Sequence, residues 1–88
     1  MASKRILKKN VNYLFGDLID ECYLWMLINP EKDAAKANEI VDEAVEYYDD
    51  VMSRIASREI ENANKYFSLL NNEVEQRATE LVDKINSL

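Results

Sequence analysis

The stretch "CYLWMLINP", residues 22–30, holds the feature that decides the fold. Seven consecutive apolar side chains are followed at once by Asn29 and Pro30. Proline disfavours helical geometry in the residue before it and fits the first position of a new helix, and asparagine is a good helix cap. The pair therefore predicts that one helix ends here and a second begins at Pro30, capped by Asn29.

Upstream of this break, apolar residues recur at alternating steps of four and three, which is the spacing of one helix face. They are Leu7, Val11, Phe15, Leu18, Cys22 and Trp25. This stripe predicts helix 1 from about Ser3 to Ile28. The apolar run at its end is far shorter than the roughly 20 residues that span a bilayer, so it is not expected to be a membrane anchor.

Downstream of the break the same spacing continues through Ala34, Ala37, Val41, Ala44, Tyr48, Val51 and Ile55. It predicts helix 2 over residues 30–56. The acidic residues of this segment are offset from the stripe by two positions, which places them on the opposite side of the helix. They are Glu39, Glu43, Glu46 and Asp50.

A third apolar stripe runs through Ile60, Ala63, Phe67, Leu70, Val74, Ala78, Leu81, Ile85 and Leu88. The step of five from Ile55 to Ile60 would swing the stripe by roughly 140° on a continuous helix. We infer a break near 56–58, with Ser57 as N-cap, and helix 3 over 58–87. The alternative is one unbroken helix over 30–88, which would need partners in another chain. The favoured fold is all-α: one domain, residues 1–88, forming a three-helix up-down-up bundle.

The composition argues against catalysis. The chain of 88 residues contains one cysteine and no histidine, so Cys22 has no imidazole to activate it and is expected to be a buried, inert thiol. The acidic series of helix 2 resembles the carboxylate spacing of di-iron bundles, but histidine is missing and the acids face outward. No phosphate-binding glycine motif is present. We expect no catalytic residues, no metal and no cofactor.

A second stripe on helix 1 lies on a side that a three-helix core would leave open. It consists of Tyr13, Gly16, Asp20, Tyr23, Leu24 and Leu27. A glycine inside a helix costs about 1 kcal/mol against alanine, and close approach of another backbone is a common reason to keep one. The stripe predicts a homodimer packed through helix 1, or a contact with another protein. The alternative is that the small residues Ala34, Ala35 and Ala37, with Leu81, Val82 and Ile85, cover this apolar surface within one chain.

The charge distribution is bipolar. Four bases without an acid give the first sixteen residues a charge of +4, and seven bases with seventeen acids give the rest −10. The bases Lys4, Arg5, Lys8 and Lys9 form a predicted anion-attracting end, unless Asp49 and Asp50 pair with them internally. Binding of nucleic acid or another polyanion here is the alternative function, which the net charge of −6 opposes.

The block "KRILKKNVNYLFGDLIDEC", residues 4–22, resembles the start of a group of small uncharacterised bacterial helical proteins. The shared features are a lysine-rich lead-in, an Asn-Tyr pair and a Leu-x-x-Glu-Cys ending, here Lys8, Lys9, Asn12, Tyr13, Leu18, Glu21 and Cys22. The resemblance implies a bacterial cytoplasmic helical bundle and no particular activity. Without a signal-peptide pattern, and with a single cysteine, a cytoplasmic location is expected.

Overall fold

The described part of the chain folds into three α-helices. The computed structural model describes residues 4–56 and 63–88, and that part of the chain contains no strand. The helices are α1 over Lys4–Ile28, α2 over Ala35–Ala56 and α3 over Ala63–Asn86. Each helix contacts the other two, which forms a helical bundle measuring 50 × 18 × 16 Å. The prediction of an all-α protein is confirmed.

The connection between α1 and α2 differs from its prediction. We expected helix 2 to begin at Pro30 behind an Asn29 cap, but α2 begins at Ala35. Asn29 instead closes α1, because its backbone N–H and its side-chain Nδ2 each donate to the Trp25 carbonyl at 2.9 Å. The cap of α2 is Asp33, whose Oδ1 accepts the N–H of Ala35 at 3.0 Å. The prediction was wrong because an asparagine side chain can form hydrogen bonds with the backbone at either end of a helix. Asn29 caps the end of α1, and the carboxylate of Asp33 caps the start of α2.

The predicted break between helices 2 and 3 falls partly outside the described residues. Helix α2 ends at Ala56, while Ser57 and the predicted start of helix 3 at 58 lie outside the described residues. The alternative of one unbroken helix is wrong, because Lys84 Nζ lies 2.8 Å from Glu43 Oε2. The 41 intervening steps would separate these residues by about 60 Å on one continuous helix.

The core forms where the three apolar stripes meet. Its fully buried large side chains include Phe15, Leu7, Ile55 and Leu81, and Phe15 stacks on the half-buried Tyr47 with ring centroids 5.5 Å apart. The described residues include no buried polar or charged one. The core cluster consists of Leu7, Val11, Phe15, Leu18, Cys22, Ile40, Val41, Ala44, Val51, Ile55, Phe67, Leu70, Val74, Ala78, Leu81 and Ile85. Trp25, Tyr48 and Leu88, which were predicted on the stripes, are half-buried.

Candidate functional site

The second stripe of α1 lies on the surface, as its spacing predicted. Its six members are all exposed, and we call them the outer face: Tyr13, Gly16, Asp20, Tyr23, Leu24 and Leu27. Tyr13 and Leu27 retain 74% and 77% of their accessible surface, although both are large and apolar. Such a patch on one helix is the type of surface that proteins use for association.

The helical period explains why these residues face away from the core. At about 100° per residue, Gly16, Asp20 and Leu27 lie within about 40° of one another. The buried positions Val11 and Leu18 lie on the opposite side of the same helix. Most of the outer face therefore points away from α2 and α3, and its six residues stay exposed beside the described part of the chain.

Gly16 is in open space. No heavy atom outside its own stretch of helix lies within 4 Å of the position that a Cβ would occupy. Packing inside the protomer therefore does not require a glycine at this position. A glycine inside a helix costs about 1 kcal/mol of stability compared with alanine. The described contacts of the protomer do not account for this cost at Gly16.

The apolar run that ends α1 is only partly covered by its own chain. Cys22 is buried and Met26 packs against the core. Leu24 and Ile28 remain exposed by 53% and 66%, respectively. The internal cover proposed from the sequence is incomplete: Ala37, Leu81 and Ile85 are buried, while Ala34 and Val82 are half-buried and Ala35 is exposed.

Four cations crowd the start of α1, and we call them the basic end: Lys4, Arg5, Lys8 and Lys9. All four are exposed. Across residues 4–56 and 63–88, no carboxylate lies within ion-pair distance of any of them. The suggested pairing with Asp49 and Asp50 is not found, since Asp50 binds Arg54 at 2.8 Å on its own helix.

Three carboxylates form the opposite charge on the same helix, and we call them the acidic turn: Asp17, Asp20 and Glu21. They too are exposed, and the described part of the chain gives them no ion pair. Among the described residues, helix α1 thus carries unpaired positive charge at its start and unpaired negative charge within one and a half turns beyond its middle.

Asn12, Tyr13 and Glu21, polar residues of the block that resembles bacterial helical proteins, have different surroundings. Asn12 accepts a hydrogen bond from the hydroxyl of Tyr48, so it joins α1 to α2. Tyr13, the next residue, belongs to the outer face and also lines a shallow groove between α1 and α3, together with Glu21. Asn12 is therefore structural, whereas Tyr13 and Glu21 are available to a partner.

A polar cluster between α2 and α3 was not foreseen from the sequence. Glu73 accepts hydrogen bonds from Arg54 Nη2 at 2.9 Å and from the Tyr47 hydroxyl. These two donors hold the pKa of Glu73 below its ordinary value, while burial and the neighbouring Glu73 raise that of Tyr47. Arg77 lies over the Tyr47 ring, 5.6 Å from its centroid. Only the step of four from Asp50 to Arg54 was visible in the sequence. The polar contacts of Tyr47, Arg54, Glu73 and Arg77 join α2 to α3, and we call these four residues the clamp.

The chemistry of nucleophiles and metals has little support in this structure. Cys22 is a free, buried thiol whose pKa is raised by burial and, to a lesser extent, by Glu21. A raised pKa keeps the thiol protonated and unreactive. Within the described residues, no three carboxylate or thiol ligands come together in a way that could hold a metal ion.

One open groove lies at the other side of the bundle, between the start of α2 and the end of α3. Its volume is about 400 Å³, and charged side chains such as Lys36, Glu39 and Asp83 surround the apolar Ile40 and Leu88. The salt bridge between Lys84 and Glu43 forms part of its wall. This salt bridge joins α2 to α3, so helix packing explains the charges of Lys84 and Glu43 without a ligand.

None of the described helices has the length and apolar character needed to cross a membrane. Comparison with family models, curated proteins and solved structures gave no match to this chain. The similarity to bacterial helical proteins at residues 4–22 thus stays a prediction.

Proposed function

We propose that this protein acts by binding rather than by catalysis, as a homodimer that packs through the outer face of α1. The observation that carries this proposal is the exposure of Tyr13, Tyr23, Leu24 and Leu27 on one side of one helix. Removing apolar surface from water is worth about 25 cal/mol per Å², so covering this patch would contribute favourably to association.

The proposal includes the order of the three helices. Tyr48, late in α2, bonds Asn12, early in α1, while Lys84, at the end of α3, bonds Glu43 near the start of α2. Asn10 donates to Asn71 at 3.0 Å, which pairs the early parts of α1 and α3. These contacts favour an up-down-up bundle, in which α1 can present one full face to a partner.

A binding function also agrees with the size and the residues of the chain. A domain of this length buries only about 60 to 65% of its unfolded surface, so association is a common source of extra stability. Catalysis by a protein without histidine would need another convergent polar site, and the clamp around Glu73 serves packing. With a single protonated thiol, the protein would suit the reducing cytoplasm of a bacterium.

Sedimentation equilibrium over a range of concentrations, at low and high salt, tests the proposal. We expect a reversible dimer, because one helix face is closer in size to transient interfaces than to permanent ones. The double variant Leu24→Glu/Leu27→Glu should be monomeric. A matched control is Val45→Glu/Leu69→Glu, which places the same two charges on α2 and α3, at positions that are exposed by 42% and 61%.

The control should leave the dimer intact, and circular dichroism should show that both variants stay folded. A wild-type protein that is monomeric at every concentration would refute the homodimer. A Leu24→Glu/Leu27→Glu variant that dimerises as tightly as the control would show that the outer face is not the interface.

Polyanion binding by the basic end is a second candidate. The observation that favours it is the exposure of Lys4, Arg5, Lys8 and Lys9 without an ion pair in the described part of the chain. Phosphate contacts would make the affinity fall steeply as salt rises. Fluorescence anisotropy with a labelled oligonucleotide at low salt tests this, and absence of binding there would dismiss it.

A further inference from the structure

The distribution of charge along α1 determines how two copies would meet, if the proposed dimer forms. The geometry points to an antiparallel pairing of α1 with α1 of a second copy, centred near Gly16, in which Lys9 of each copy lies within one turn of Asp20 of the other. This inference rests on the proposed function and adds the orientation and the electrostatic partner of the outer face.

Gly16 is a suitable centre because it is exposed and has free space above it. It also lies at the middle of α1, twelve residues from either terminus of Lys4–Ile28. Two helices that cross at a glycine can approach closely, since no side chain separates their backbones. In an antiparallel pair with this centre, each residue n lies at the height of residue 32 − n of the second copy.

This register brings opposite charges together. Lys9 lies on the outer side of α1, about 20° around the helix from Asp20 and on the other side of Gly16. In the antiparallel pair, Lys9 comes level with Tyr23 of the second copy, one turn from Asp20 of that copy. One turn is about 5.4 Å, which a lysine side chain can span. The two-fold symmetry makes this contact twice.

The same register covers the apolar end of α1. Arg5 comes level with Leu27 of the second copy, and Lys9 with Tyr23 of that copy. The aliphatic stems of lysine and arginine pack on apolar surface while their charged ends stay in water. Arg5 and Lys9 would therefore cover the exposed apolar end of α1 in the second copy, and Lys9 would pair with Asp20 of that copy at the same time.

A parallel pairing has none of these advantages. It would place Lys9 beside Lys9 of the second copy and Asp20 beside Asp20, so like charges would meet at both ends. It would also align the two helix dipoles in the same direction, whereas an antiparallel pair sets the positive start of one helix beside the negative end of the other. Both electrostatic effects favour the antiparallel orientation.

Charge reversal tests the orientation of the two copies within the dimer. The variants are Lys9→Glu, Asp20→Lys and the two combined, and each is compared with wild type by sedimentation equilibrium at low salt. Lys65→Glu is the matched control, because it makes the same charge change at an exposed position of α3. We expect each single change on α1 to weaken the dimer about tenfold, since two symmetric contacts turn from attraction to repulsion. The combined variant should recover most of the wild-type affinity.

The outcomes separate the two proposals. A wild-type monomer at every concentration overturns the proposed function and this inference with it. A wild-type dimer in which Lys9→Glu and Asp20→Lys have no more effect than Lys65→Glu overturns the antiparallel orientation and leaves the proposed function standing. The orientation is also overturned if the combined variant dimerises as weakly as the single ones.

Discussion

Phe15 is the residue whose loss should damage the fold most clearly. Its side chain is 1% exposed, at the middle of α1, and its ring stacks on Tyr47 at an interplanar angle of 26°. Truncation of a buried phenylalanine to alanine removes transfer free energy and leaves a cavity, which together cost about 3–5 kcal/mol. The Phe15→Ala variant would lose the contact that links α1 to α2 at the centre of the bundle.

This loss is large beside the stability of so small a protein. At about 0.05–0.15 kcal/mol per residue, the free energy of unfolding of an 88-residue chain is about 4–13 kcal/mol. The entropy of unfolding, about 2.1 cal/mol/K per residue, converts the loss into a fall in melting temperature of about 15–25 °C. Phe15→Ala should therefore be partly unfolded at physiological temperature if the wild type lies at the lower end of this range, near about 4 kcal/mol.

Urea and thermal unfolding followed by circular dichroism at 222 nm would measure the effect, at one protein concentration because dimerisation shifts apparent stability. The control is Leu69→Ala on α3, where the leucine is 61% exposed and truncation should change the free energy of unfolding by less than about 0.5 kcal/mol. A Phe15→Ala variant within 1 kcal/mol of the wild type would refute the placement of Phe15 in the core.

Three further predictions concern polar groups. Because the pKa of Glu73 is lowered in the folded state, its contribution is present above the ordinary glutamate value of about 4.3 and is lost as pH falls through the folded value. The difference in stability between wild type and Glu73→Gln should thus narrow in urea titrations below about pH 4, and a constant difference would contradict the contact with Arg54 and Tyr47. The thiol of Cys22 should react with an aromatic disulfide reagent only after unfolding in denaturant, and equal rates in the native protein would contradict its burial. Asp33→Ala should cost about 1 kcal/mol of stability by removing the cap of α2, and Asp33→Asn should cost less, since the amide oxygen can still accept; equal losses would count against the cap.

The sequence predicted the helices well where apolar spacing is regular. The stripe of α1 placed Leu7, Val11 and Phe15 in the core, and the structure buries all three. It failed at the connection after α1, because Asn29 and Asp33 are both capping residues and spacing alone does not tell which helix end each one satisfies. There the outcome depends on turn geometry over four residues, which has no periodic signature.

The outer face was predictable and the clamp was not, for the same physical reason. A face of one helix is fixed by the local period of 3.6 residues, so the exposure of Tyr13 and Leu27 could be inferred from positions on α1 alone. The clamp joins Arg54 to Glu73 across nineteen residues, and its formation depends on the register between two helices. Register between helices is determined by core packing, to which surface charges contribute little.

The charges of α1 differ from those of α2 and α3, which form all the ion pairs among the described residues. The clamp shows that carboxylates and cations of α2 and α3 find each other within one protomer, as Glu73 and Arg54 do. Along residues 4–28 the basic end and the acidic turn lie on one straight helix, more than one turn apart, and a helix cannot bend back to join them. Within residues 4–56 and 63–88 these charges have no ion-pair partner, and in the proposed antiparallel dimer Lys9 of one copy would lie within one turn of Asp20 of the other, on both sides of Gly16.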